Sequence, residues 1–329
     1  MSKPVLYICH TPYQVLVSVA KLLVRPHDAV FCLAEKLPGR EGLGQRLQAA
    51  GLCSDVLLPA DSHWPGPVMS GWRRHFLHPL QKRAIENAGF VLHPADWAEI
   101  CIYNDWSALG NYLQDLGAAY TLGEDTYDYL RKYNHLIDDQ AHEAGYASRR
   151  KKGRGYLYWG AYRGTAVVEV AKKETAIYWP ERQRAFDLFE ALSGFDAPQM
   201  DVIRRVFIEQ ELPPIQPPTC LFLPRSYYID GMLPSQAAQD ALCRDLVAKY
   251  ADGYQLYIKT HPRDTTDYTR LFPDAVVLDR FMPSELLDWC FSVRFDRAVG
   301  LGTHSIRNLR CADEIIDLPD SGLAPYLAL

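Results

Sequence analysis

The chain has 329 residues, with 35 Lys and Arg against 40 Asp and Glu, a formal net charge of −5, 48% hydrophobic residues and 23% charged. These proportions belong to an ordinary folded protein and exclude wholesale disorder, collagen-like repeats and a coiled-coil rod. The slightly acidic balance excludes a generally basic nucleic-acid binder, and at roughly 100–200 residues per domain the length predicts two domains.

Taken in chain order, Val5 to Cys9 is a short apolar run of strand formers. It ends at His10-Thr11-Pro12, after which Val15, Leu16, Val19, Leu22 and Leu23 recur at helical spacing. Strands are expected at Ala29 to Leu33, Asp55 to Leu58, Ile100 to Tyr103 and Ala119 to Leu122, with a helix from Trp106 to Leu116. Strand, helix, strand at this spacing implies βαβ units and a parallel sheet. Farther on, Arg149 to Arg154 reads as a basic loop, and helices are expected at Arg182 to Leu192 and Asp201 to Gln210. Leu212 to Pro218 holds four prolines in seven residues, a density that forbids helix and marks a linker.

The pattern then restarts. Strands are expected at Cys220 to Leu223, Gln255 to Lys259, Ala275 to Leu278, Arg297 to Gly300 and Ile315 to Leu318, with helices at Ser235 to Tyr250 and Ser284 to Cys290. The reading is α/β: two Rossmann-like domains with parallel sheets, 1–212 and 213–329. A ligand is expected in the cleft at the carboxyl ends of their strands. The eight cysteines include no CxxC pair and most lie in apolar runs, so they read as small buried hydrophobes. Lys3-Pro4 leads straight into a strand with no secretory leader, and no apolar run approaches the ~20 residues of a membrane span. A reducing compartment, the cytoplasm, is expected. The 20 Tyr, 12 Phe and 7 Trp suit thick cores or sugar-stacking surfaces.

Polar residues at the ends of parallel strands carry the candidate chemistry. Glu124-Asp125 supplies two adjacent carboxylates, one able to face the cleft as a general base; the alternative is that Asp125 or Thr126 caps a helix beginning at Tyr127. His261-Pro262, flanked by Lys259 and Arg263, suits a phosphate or a leaving group, or is a satisfied turn histidine. Gly300 to Ser305 combines glycines with the Thr303 and Ser305 hydroxyls, which together with backbone N–H groups suit a phosphate. No Walker loop, GxGxxG, HExxH or Gly-x-Ser-x-Gly is present, and no metal site is expected.

The ordered set of Thr11-Pro12-x-Gln14, Glu124-Asp125, His261-Pro262 and Thr303-His304-Ser305 resembles the bacterial sialyltransferases of the GT-B fold. It is most similar to the lipooligosaccharide sialyltransferases (glycosyltransferase family 52), with kinship to the capsule polysialyltransferases. Leu221 to Arg225 through Asp230-Gly231, and Pro283 to Leu287, resemble further segments of their second domain. The likeness spans residues 5 to about 310 as short islands. It departs at Thr126, where the family has glycine, and at Thr303-His304-Ser305, where it has paired serines.

This resemblance implies a metal-independent, cofactor-free, inverting transfer of sialic acid from a CMP-sugar donor to a glycan acceptor of the bacterial surface. It implies Asp125 as general base and His261 as the partner of the donor phosphate and acid to the departing nucleotide. Thr303 and Ser305 would grip that phosphate and Glu285 the ribose, with Arg225, Pro262 and Gly302 also on the donor side. Thr11, Gln14 and Glu124 fall on the acceptor side. Another nucleotide sugar (CMP-Kdo, a different CMP-nonulosonic acid or a UDP-hexose) and a non-catalytic nucleotide- or sugar-binding protein are the alternatives. Basic clusters at Arg73 and Arg74, and at Arg149, Arg150, Lys151 and Lys152, suit peripheral contact with an anionic membrane at its inner face, or are solvated loops.

Overall fold

The computed structural model describes residues 3–61, 82–132, 134–152, 156–173, 178–209, 217–291 and 294–328. The chain divides into two compact units, Met1–Val206 and Phe207–Leu329. Arg73, Arg74 and most of the proline-rich segment lie outside the described residues.

In the first unit, β1 (Val5–Cys9) and β2 (Ala29–Leu33) are apolar on both faces, as strands covered on both sides must be. They join β3 (Asp55–Leu57), β4 (Glu99–Ile102), β5 (Tyr120–Leu122), β6 (Thr165–Val170) and β7 (Gln183–Ala185) in the order β3-β2-β1-β4-β5-β6-β7. Every pairing is parallel. Between β1 and β2 runs α1 (Pro12–Val24), with Pro12 in its first turn and Thr11 as N-cap accepting from the Gln14 N–H at 3.3 Å. On one face Leu6, Ile8, Ile100 and Ile102 pack with Leu109, Tyr112 and Leu113 of the helix Ala108–Asp115. Each such side chain contributes about 1.5–3 kcal/mol by leaving water.

The second unit repeats the plan with β8 (Thr219–Leu223), β9 (Gln255–Lys259), β10 (Val276–Leu278), β11 (Phe295–Leu301) and β12 (Ala312–Leu318), all parallel, in the order β10-β9-β8-β11-β12. Ser235 caps the helix Gln236–Tyr250, which lays Leu242, Cys243 and Leu246 against Phe222 and Ile258.

Three expectations need correction. The helix expected at Arg182 to Leu192 is instead β7 followed by a helix over Leu188–Gly194. Arg184 holds β7 to the sheet through Glu169 and Glu99, so ion pairs rather than apolar alternation make that edge. The basic loop from Arg149 is in fact the end of a helix, Tyr146–Lys152, whose Ala, Arg and Lys are strong helix formers. No helix starts at Tyr127; the next one is Tyr129–Lys132. The aromatic content is in good part core: Tyr103, Tyr112, Tyr120, Tyr156, Tyr227, Tyr257 and Tyr268 are among the largest fully buried side chains. Among the described residues, no helix is long and apolar enough to cross a membrane.

Candidate active site

In each sheet the strand order reverses beside the first strand, between β1 and β4 and between β8 and β11. Open parallel sheets bind ligands outside the carboxyl ends of the strands at that reversal. Most candidate residues stand at these two places or one strand away, and Glu285 lies beyond the edge strand β10.

In the first unit, α1 starts immediately beyond β1 and buries Gln14 completely. The Gln14 Nε2 donates to Asp125 Oδ1 at 2.6 Å, and its Oε1 accepts from the His10 N–H at 2.6 Å. The second bond fixes which way the amide faces: a backbone N–H requires the oxygen, so the NH2 group is turned to the carboxylate. Asp125 is half-buried in the turn after β5. Burial pushes its carboxyl up to about 6, while the Gln14 hydrogen bond pulls the other way by favouring the ion. A carboxylate so placed takes a proton near neutral pH, which the ordinary value of about 3.9 does not favour.

Glu124 and Gln14 were expected on the acceptor side, and the structure corrects both. Gln14 has no exposed surface and spends its side chain on Asp125. Glu124 is buried and turned into the fold, its Oε1 accepting from the Leu130 N–H at 3.0 Å and its Oε2 from the Ala171 N–H at 2.7 Å. The capping alternative for Asp125 also fails, because Glu124 is the side chain that reaches the first turn of Tyr129–Lys132. Burial raises the Glu124 carboxyl to about 7. Thr11 is half-buried and its hydroxyl caps α1. Two polar groups beside the reversal lack partners among the described residues: both ring nitrogens of His10, just past β1, and Oδ1 of Asn104, just past β4. Ile8 is in register with Ile102, so these two residues stand at equivalent positions on adjacent strands. Burial pushes the His10 ring down to about 4, and it is neutral.

In the second unit, His261 follows β9. Its Nδ1 accepts from the Arg263 N–H at 3.2 Å and lies 3.5 Å from Ser226 Oγ. An accepting Nδ1 puts the proton of the neutral ring on Nε2, so the ring is a donor at Nε2. Burial, and then the Arg263 charge, push His261 down to about 4. The turn Pro262-Arg263 is braced by buried Asp264, which accepts from Thr266 N–H, Gln239 Nε2 and Tyr268 OH. Asp230 gathers the neighbouring groups: it accepts from Ser226 Oγ at 2.9 Å and pairs with Arg263 at 3.0 Å and Arg225 at 3.5 Å. Arg225 Nη1 also donates to the Gly302 carbonyl at 3.2 Å, joining the ends of β8 and β11. Two guanidinium groups against one carboxylate leave a positive excess here.

Gly302 has φ of +61°, and a Cβ on it would collide with the Asp320 carboxylate, so the turn requires glycine. Thr303 and Ser305 follow, both half-buried; Thr303 is the N-cap of the 3₁₀ turn His304–Asn308 and its hydroxyl makes no capping hydrogen bond. Glu285 sits in the 3₁₀ turn Ser284–Leu286 and accepts from Ser284 Oγ at 3.3 Å. Lys259, expected to favour an anion, points inward: it is buried and its Nζ donates to the Thr260 carbonyl at 2.8 Å and the Arg280 carbonyl at 3.2 Å. Burial lowers it to about 8. Among the described residues, no group of three or more His, Cys, Asp or Glu is placed to hold a metal ion.

With this geometry in hand, comparison with known proteins identifies the fold. The chain is similar to the crystal structure of α/β-galactoside α-2,3-sialyltransferase from Photobacterium phosphoreum, with a TM-score of 0.55 and 10% identity over 96% of this chain and 91% of that one. It is also similar to the GT-B domain, residues 113–497, of a sialyltransferase from Photobacterium damselae: TM-score 0.52, 12% identity, 99% of this chain and 96% of that one. The fold is GT-B. No family model matches the sequence. An uncharacterized protein of Haemophilus influenzae is 45% identical over 60 residues, 18% of this chain. The match spans 19% of that relative's length.

Several residues that shape this GT-B chain's candidate site were not singled out from the sequence. Asp230 and Asp264 carried a local signal, a carboxylate in a turn just past a strand. Tyr103 and Asn104 carried none, because their significance depends on contacts with residues distant in sequence.

Proposed function

We propose that the chain is an inverting glycosyltransferase that moves sialic acid from CMP-sialic acid to a hydroxyl of a bacterial surface glycan. The observation that carries this reading is the Asp125 carboxylate: half-buried, raised to about 6, and oriented by a buried amide at the end of a central strand. The GT-B fold and the ordered motifs support it.

In this mechanism Asp125 takes the proton of the acceptor hydroxyl as its oxygen bonds to the anomeric carbon of the donor. The bond from that carbon to the phosphate oxygen breaks, and its electron pair leaves on the phosphate. His261, neutral with its proton on Nε2, donates a hydrogen bond to that phosphate. A phosphate monoester has a second pKa near 6, so the leaving group needs charge stabilisation more than full protonation. Arg225 adds positive charge, and Thr303 and Ser305 supply hydroxyls to the phosphate. Glu285 takes the ribose hydroxyls. On the acceptor side, the His10 ring nitrogens and Asn104 Oδ1, without partners among the described residues, offer hydrogen bonds to sugar hydroxyls. Trp106, stacked on Tyr129 at 5.6 Å and 6.0 Å from Trp159, offers a half-buried aromatic face. The basic residues in the C-terminal half of the helix Tyr146–Lys152, with exposed Lys151 among them, suit an anionic membrane carrying the acceptor; Arg149 is tied to Glu143 and Arg150 lies over Trp179.

The test is a thermal-shift panel of CMP, UDP, GDP and dTDP. A ligand that binds only the folded state stabilises by RT ln(1 + [L]/Kd), so the preferred nucleotide raises Tm most. CMP is expected to lead. A panel led by UDP would replace the donor with a UDP-sugar, and CMP binding without transfer would leave a non-catalytic binding protein.

A further inference from the structure

Tyr103, the residue after β4, is fully buried and touches both halves of the Asp125 site. Its hydroxyl lies 3.1 Å from Lys21 Nζ and 2.8 Å from Ser18 Oγ, both on α1. Lys21 is itself paired with Glu169 of β6. Ser18 Oγ is 2.9 Å from the Gln14 carbonyl. Only one assignment of protons satisfies this chain: the ammonium donates to the Tyr103 oxygen, the phenol to Ser18 Oγ, and the serine hydroxyl to the Gln14 carbonyl. The hydrogen bonds therefore run in one direction from a buried ion pair to the residue that holds Asp125.

The Tyr103 ring does the complementary work on the other segment. It packs so closely against Gly123 that a Cβ there would stand 2.5 Å from two ring carbons. The Gly123 N–H donates to the Ile102 carbonyl at 2.8 Å, which pins the turn to the end of β4. One side chain thus contacts α1, which supplies Gln14, and the turn after β5, which supplies Asp125.

We propose that Tyr103 is a positioning residue for Asp125: it sets the spacing between α1 and the β5 turn, and through that spacing the Gln14–Asp125 hydrogen bond. The consequence for catalysis rests on Asp125 being the base; the positioning itself does not. Other titratable groups of this region, His10 past β1, Glu124 beside Asp125, and Lys21 with Glu169, stay in place in the variants below.

The experiment follows the titration of the Asp125 carboxyl by carbon-13 NMR on aspartate-labelled protein, with the resonance assigned by Asp125→Asn. No substrate is needed, so it is independent of whether Asp125 acts as the base, which is tested by transfer in Asp125→Ala. Gln14→Leu is expected to raise the Asp125 midpoint by about 1 pH unit, because a hydrogen bond favouring the ion is lost. Tyr103→Phe, which keeps the ring and removes the hydroxyl, is expected to raise it by roughly half as much, on the same ground. In the double variant Tyr103→Phe adds nothing to Gln14→Leu, since it acts through Gln14. A role confined to stability would change Tm and leave this coupling at zero. A Tyr103→Phe midpoint equal to that of the unmodified protein, or an equal shift with and without Gln14, would overturn the proposal. Should Tyr103→Phe fold poorly, Ser18→Ala cuts the same chain and must give the same coupling.

Discussion

The amide of Gln14 and the carboxylate of Asp125, 111 residues apart in sequence, meet in a 2.6 Å hydrogen bond. The bond joins the first turn of α1 to the turn after β5. It also holds the carboxylate without neutralising it, since an amide brings a dipole and no charge. Replacing the amide with a second carboxyl tests this. In Gln14→Glu the two acids share a proton and titrate as a pair with one value strongly raised. The acid limb of a kcat/KM profile is expected to move up by about 1–2 pH units. An acid limb that stays in place would sever Gln14 from the chemistry.

Asp125 carries a cost in stability whose sign follows from its titration. Its folded value of about 6 lies above the ordinary 3.8, so the folded state holds the proton more tightly than the unfolded chain. The stability this gives is present below the ordinary value and is lost as pH rises through about 6. Asp125→Asn keeps an acceptor for Gln14 and removes the charge. It is expected to be more stable by about 1–2 kcal/mol at neutral pH, allowing for screening of its exposed part, with no gain below about pH 4. Denaturant unfolding at the two pH values measures this, and an Asn variant no more stable at neutral pH would contradict it.

Glu124 has a bracing role, and its removal should be felt as loss of structure. Glu124→Ala leaves the Leu130 and Ala171 N–H groups without their acceptor. At about 1–3 kcal/mol for each buried group left unpaired, urea unfolding is expected to show a loss of about 2–6 kcal/mol. Stability within about 0.5 kcal/mol of the unmodified protein, the range of an ordinary surface substitution, would return Glu124 to the list of side chains facing substrate.

His261 makes a prediction about nucleotide binding. The free ring is held down at about 4, and a phosphate beside Nε2 stabilises its cation. The bound ring therefore titrates above the free one, so at pH values between the two the complex takes up proton that the free protein does not, and CMP binds more tightly as pH falls toward the free value of the ring. Calorimetry in buffers of different ionisation enthalpy counts that proton. CMP titrates as well, so the quantity to compare is the difference between the unmodified protein and His261→Gln, which should lack the uptake due to the ring. Equal uptake in both proteins would remove His261 from the phosphate.

Much of the framework was legible because its signals are local. Val5 to Cys9 followed by Thr11-Pro12 announces strand, cap and helix within eight residues, and Ser235 announces the helix Gln236–Tyr250 in the same way. The pair Glu124-Asp125 was legible as a pair, but the division of labour within it was not. Two adjacent carboxylates look alike in sequence; the amides of Leu130 and Ala171 claim one and Gln14 claims the other. Strand β7 was misread because its hold on the sheet is Arg184 reaching Glu169 and Glu99. β6, which buries Val168 and Val170, carries a short apolar signal inside an otherwise irregular stretch. Gln14 was seen as a strand-end polar residue, yet only its burial separates an acceptor contact from a support for Asp125.

The central claim is that Asp125 removes the acceptor proton in a transfer from a nucleotide sugar. The most direct measurement is transfer from CMP-sialic acid to a glycan acceptor by Asp125→Ala, alongside CMP affinity in the same preparation. A general base contributes roughly a hundredfold to ten-thousandfold in rate, so transfer should fall by about that factor while CMP affinity stays unchanged. Transfer at the rate of the unmodified protein by Asp125→Ala would contradict the account.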